Sequence, residues 1–132
     1  MDRIFLKKQL ERFYLEDIGH EDITTDNLEI DKNVNAKIIA KESGLLAGAV
    51  FAKEVFLMVD SSLQINILKN EGEEIKKGDV LLEIKGNGKS ILKGERLALN
   101  IMQRLSGIAT KTIQFVKALE GTNVKLLDTR KT

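Results

Sequence analysis

Cysteine and proline are absent from these 132 residues, and histidine occurs once. Without thiols there is no disulfide, no thiolate nucleophile and no cysteine-based zinc site, and one imidazole leaves no histidine cluster for a transition metal. Excess charge is missing too. The 21 basic and 20 acidic residues leave a net charge of +1, so no global field draws the chain to nucleic acid or to an anionic membrane, and any anion site must be local. No stretch approaches the roughly 18 consecutive apolar residues of a membrane span. The opening MDRIFLKKQLERF is amphipathic and charged, unlike a secretory leader. These absences give the expectation of a cytoplasmic globular protein with no nucleic-acid and no membrane partner. The lack of proline carries no functional reading.

What is present is an apolar fraction of 42%, enough for one core, or for one domain and the start of another. Leu6, Leu10, Phe13 and Tyr14 recur at helical spacing and predict an amphipathic helix over 2–18, with Gly19 placed to end it. Val34, Ala36, Ile38 and Ala40 alternate with polar neighbours and predict a half-buried strand. LLAGAVFAKEVFLMVD carries Phe51, Val55, Phe56 and Val59 at helical spacing, and SSLQINILK predicts another strand. EGEEIKKGDVLLEIKGNG predicts a hairpin turning at KKGD, where Gly78 is free to take a positive φ. From 92 to 120 a single apolar stripe runs through Ala98, Ile101, Met102, Leu105, Ile108, Ala109, Ile113, Val116 and Leu119, with Gly121 as a C-terminal cap. Such a helix would be roughly 40 Å long. VKLLD then predicts a short buried strand.

Thr129, Arg130, Lys131 and Thr132 follow that strand at its carboxyl end, the edge where α/β proteins place ligands. Arg offers a planar fork, Lys a mobile point charge and Thr a hydroxyl, a set suited to an anionic substrate, although a basic pair at a strand end equally describes a solvated turn. Arg96 opens a polar line with Asn100 and Gln103 opposite the apolar stripe, which by itself describes a solvated helix face. The Ser106-Gly107 pair sits where Ala would favour the helix by about 1 kcal/mol, which suggests a kink or the close approach of another backbone. His20 with Glu21 and Asp22, and the carboxylates Glu71, Glu73, Glu74 and Asp79, describe surface turns better than metal sites. GNGKS lacks the spacing of a phosphate-binding loop.

Taken together, LAG at 46–48, GDVLLEIKG, ERLALNIMQRLSGIAT at 95–110 and LLDTRKT at 126–132 closely resemble the quinolinate phosphoribosyltransferase family, also called carboxylating nicotinate-nucleotide pyrophosphorylases. The resemblance runs from about residue 17 to the last. It implies an α+β N-terminal sandwich domain, helices packed on a small, mostly antiparallel sheet, over 1–110. Residues 111–132 would begin a C-terminal α/β barrel whose remainder is missing. It implies a glycosyltransferase of NAD biosynthesis that forms nicotinate mononucleotide, carbon dioxide and pyrophosphate from quinolinate and phosphoribosyl pyrophosphate, the latter accompanied by Mg2+ whose ligands lie outside this chain. It implies a homodimer in which Arg96 reaches the partner's site, while Thr129, Arg130 and Lys131 bind the dicarboxylate. Catalytic residues would lie mostly in the missing barrel.

A barrel of this type takes on the order of 200 residues or more. The chain is therefore expected to be inactive alone, with part of its apolar surface around 108 to 127 exposed or covered by self-association. Two alternatives stand beside this reading. One is a molybdenum-transport-associated relative of the same fold. The other is a non-catalytic biotinyl or lipoyl carrier module, suggested by GEEIKKGDVLLEIKG with Lys85 and Lys89 flanking GNG.

Overall fold

A computed structural model describes residues 3–18 and 32–129. Along them run α1 (Arg3–Ile18), β1 (Asn33–Ile39), β2 (Gly44–Leu45), α2 (Ala49–Val59), β3 (Gln64–Ile67), β4 (Glu74–Ile75), β5 (Val80–Asn87) and α3 (Gly88–Ala118). Three strands form an antiparallel sheet in the order β1-β5-β3, and β2 pairs with β4 in a separate two-stranded ladder.

Period-two alternation places the core. Ile84 stands between Ala36 and Ile65, and Leu82 between Ile38 and Ile67, so these six side chains share one face. Leu82 and Ile84 are fully buried. Ala52, Val55 and Phe56 of α2 and Ile91, Leu97, Ala98 and Met102 of α3 complete the same core. Burial of this apolar area at roughly 25 cal/mol per Å2 is the dominant favourable term in folding. On α1 the packed line is Leu6, Leu10 and Tyr14, whereas Phe13, expected on that face, is exposed.

The expected hairpin does not form. Its turn exists: Asp79 N donates to Lys76 O, Lys76 N donates to Asp79 Oδ2, and Gly78 has φ 95°. Yet β4 pairs with β2, and β5 with β1 and β3. Ala40 captures the groups a hairpin would have used, accepting from Gly78 N and donating to Asp79 O, both at 2.9 Å. Local turn chemistry set the bend, and strand partnership was decided by the longer ladder.

α3 begins at Gly88, one turn earlier than the apolar stripe indicated. Asn87 supplies the reason, since its side chain accepts from Ser90 N at 3.1 Å and caps the helix. The GNG segment is thus a helix start and not the tip of a carrier hairpin, and Gly88 is buried. α3 ends at Ala118, with Leu119 as its C-cap and Gly121 at φ 81°. Its outer half is uncovered: Ile108, Phe115 and Val116 are exposed, as are Val124, Leu126 and Leu127 beyond it. VKLLD, expected as a buried strand, is exposed and pairs with no strand among the described residues, because a strand needs a neighbour's backbone to complete it. Among the described residues no helix is long and apolar enough to cross a membrane.

Candidate functional site

Arg96 lies on α3, more than two turns inside the helix. Its side chain is exposed, while Leu97 and Ala98 beside it are buried. Two residues earlier, Gly94 is buried against Phe56, where an added Cβ would stand 2.8 Å from the ring. The backbone near Arg96 is therefore held, while the residue itself is exposed. Asn100 and Gln103 continue this exposed polar face. Thr129 is exposed, and Arg130 and Lys131, with Thr132, lie outside the described residues. So does the His20, Glu21 and Asp22 group.

The segments LAG and LSGIAT, distant in the sequence, meet in space. Ala47 N donates to Ser106 Oγ at 2.9 Å, and Ser106 Oγ donates back to Ala47 O at 3.1 Å. One turn further along α3, Thr110 Oγ1 accepts from Leu45 N at 2.8 Å. Gly48 adopts φ 93°, and a Cβ there would stand 3.0 Å from Leu105 Cδ1 and 3.4 Å from Met102 Cα. The close backbone approach expected of Gly107 thus occurs at Gly48, and nothing lies within 4 Å of a Cβ built on Gly107.

Glu71 was grouped with the solvated carboxylates, but its Oε2 accepts from Gly48 N at 2.8 Å and its Oε1 from Val50 N at 3.0 Å. It caps the N-terminus of α2, whose own cap residue is a glycine with no side chain to offer. Glu73 and Asp79 also have assigned partners. Both pair with Lys69 Nζ, at 3.0 and 3.6 Å. The Asn70 N–H, followed by Lys69, holds the Glu73 carboxyl below its ordinary range, and the Lys76 N–H does the same for Asp79. Hydrogen bonding by Glu73, with the charge of Asp79, raises Lys69. The pairing of Ser106 with Thr110, four apart on one helix face, was the available signal for the joint. Glu71 gave none, since its partners are backbone groups over twenty residues away.

Among the recesses that the described residues form, two border the helices. One of about 540 Å3 lies between α1 and α2, bordered by Leu6, Leu10, Leu57, Met58 and Asp60. The other, about 490 Å3, runs between the 38–45 segment and α3, bordered by Met102, Ser106 and Thr110. Neither is lined by Arg96 or Thr129. Among the described residues no group of three His, Asp or Glu side chains is placed to hold a metal ion. What this arrangement offers chemically is an exposed arginine on a helix held by close packing.

Comparison with known proteins gives this arrangement a context. The family model for the quinolinate phosphoribosyl transferase N-terminal domain matches residues 22–106, a span that includes Arg96 and Ser106. The chain is 42% identical over all 132 residues to a probable carboxylating nicotinate-nucleotide pyrophosphorylase of Bacillus subtilis, and 38% identical over 129 residues to that of Synechocystis. It spans only 46% and 44% of their lengths. The solved nicotinate-nucleotide pyrophosphorylase of Francisella tularensis superposes with a TM-score of 0.90 at 37% identity, covering 100% of this chain and 48% of that one. The expected α+β fold class, a small antiparallel sheet with helices and a long terminal helix, agrees with this likeness. On the match over most of its length, the chain belongs to the quinolinate phosphoribosyl transferase N-terminal domain family.

Proposed function

We propose that these residues supply the N-terminal part of a phosphoribosyltransferase that joins quinolinate to phosphoribosyl pyrophosphate in NAD biosynthesis, in the cytoplasm, as a homodimer. The observation that carries the reading is Arg96: it falls within the family match, is exposed, and sits on a helix whose backbone is fixed on either side of it. In this reading 1–110 form the sandwich and 111–132 lead into an α/β barrel, with α3 as the rigid connection.

The chemistry suits such residues. The ring nitrogen of quinolinate forms a bond to the anomeric carbon as the bond to pyrophosphate breaks, and the adjacent carboxylate later leaves as carbon dioxide. Both reactants are polyanions, so binding them close together in a partly dry site requires several cationic donors. Arg96 fits a carboxylate as a bidentate fork presented to the partner subunit's site, and Thr129, Arg130 and Lys131 would hold the dicarboxylate from the other wall. Clamping the ring fixes its nitrogen near the carbon it attacks. Mg2+ would accompany the pyrophosphate and stabilise its developing charge, and no step assigned to this chain runs through the ion.

The test is pyrophosphate release from quinolinate and phosphoribosyl pyrophosphate, by the polypeptide expressed from the native gene and by the 132-residue chain alone. Turnover by the first and none by the second is expected. Absence of turnover by the native-length protein with quinolinate would exclude this activity in favour of a relative with another substrate.

A further inference from the structure

We infer that Ser106 and Thr110 are positioning residues: they lock the axial and rotational setting of α3 on the 45–47 segment and thereby fix where Arg96 is presented. Serine and threonine within helices commonly bond back to their own helix, as Thr112 does in donating to Ile108 O at 2.8 Å. Ser106 and Thr110 instead bond across, to residues 59 and 65 positions away. The two contacts run antiparallel, Leu45 to Thr110 and Ala47 to Ser106. Two residues of extended chain advance roughly 6.6 Å, and four residues of helix about 6.0 Å, so both bonds are met together in one register only. A rotation of α3 by one residue swings both hydroxyls away.

The surroundings are cut to this contact. A Cβ on Gly44 would stand 2.5 Å from Thr110 Oγ1, and Gly48 admits Met102 and Leu105 at the other end. Leu46, between the two bonded residues, is itself tied on both sides, donating to Glu73 O and accepting from Gly72 N. The segment is therefore a fixed rail. Arg96 lies between this latch and the Gly94–Phe56 contact, so α3 is held on both sides of it. The catalytic consequence rests on the proposed phosphoribosyl transfer, whereas the geometric part does not.

The test has two arms. In the native-length protein, with any cysteine outside these residues replaced, Arg96→Cys and Asn66→Cys carry spin labels, and the distance distribution is compared with and without Thr110→Val or Ser106→Ala. In the native-length enzyme the same substitutions, without labels, are assayed for KM of each substrate and for kcat. A broadened distance distribution is expected, together with a quinolinate KM raised about fivefold or more while the phosphoribosyl pyrophosphate KM stays within about twofold. Thr110→Ser, which keeps the hydroxyl, restores both. An unchanged distribution in folded variants overturns the inference, as does equal loss in Thr110→Val and Thr110→Ser. If the wild-type enzyme does not turn over quinolinate, the proposed function fails and the label distances alone decide the positioning.

Discussion

Gly94 of α3 lies against the ring of Phe56 so closely that a methyl group on it would stand 2.8 Å from Cδ1 and 3.1 Å from Cε1. Phe56 is 1% exposed, so its ring has nowhere to withdraw. Gly94→Ala is expected to destabilise the chain by about 1–2 kcal/mol, the overpacking strain exceeding the gain in helix propensity. Gly107→Ala is the control: with open space around it, this change should stabilise the isolated chain by up to about 1 kcal/mol. Thermal midpoints of the two variants measured side by side should move in opposite directions.

Glu71 caps α2 with both carboxylate oxygens. Glu71→Ala leaves two helix-terminal N–H groups without that partner and should cost about 0.5–2 kcal/mol, read as a lower denaturant midpoint with an unchanged slope. No change in midpoint would mean that water replaces the cap without loss.

Lys69, Glu73 and Asp79 tie two turns together. The carboxyls are held below their ordinary values of 4.5 and 3.8, so the folded state binds their protons less readily than the unfolded state. Their contribution is present above those values and is lost as the pH falls through the lower folded-state ones. Lys69 is raised above 10.5, so its contribution is complete below that value and is lost as the pH rises through the higher folded-state one. Glu73→Gln with Asp79→Asn should flatten the acid limb of a stability–pH curve. An acid limb identical to wild type would remove these carboxylates from the account.

Arg96→Ala in the native-length enzyme should lower kcat/KM for quinolinate by about tenfold to hundredfold, the loss of a charge-assisted contact of about 1.5–3 kcal/mol. Arg96→Lys should recover little of it, because an ammonium does not reproduce the bidentate fork. The thermal midpoint of each variant separates a loss of contact with substrate from a loss of stability. A full recovery by lysine would show that only charge is needed.

The sequence showed which residue types to ask about: an arginine in ERLALN and a basic pair after LLD suit an anion, and suit a solvated surface equally well. What stayed hidden was the partner of each group. Glu71 resembles any other loop carboxylate until Gly48 and Val50 are brought to it. The KKGD turn gives no indication that Ala40 will take its backbone groups.

The sequence by itself determined the periodicities, and with them the helices and the buried face of the sheet. These follow from side-chain spacing, which is local and fixed by 3.6 residues per helical turn and two per strand repeat. The tertiary structure alone decided which strand pairs with which, why Gly48 and Gly94 must be bare, and how α3 is held beneath Arg96. Those outcomes depend on contacts between residues 15 to 65 positions apart, where backbone hydrogen bonds and close packing select one arrangement among many that local preference leaves equal.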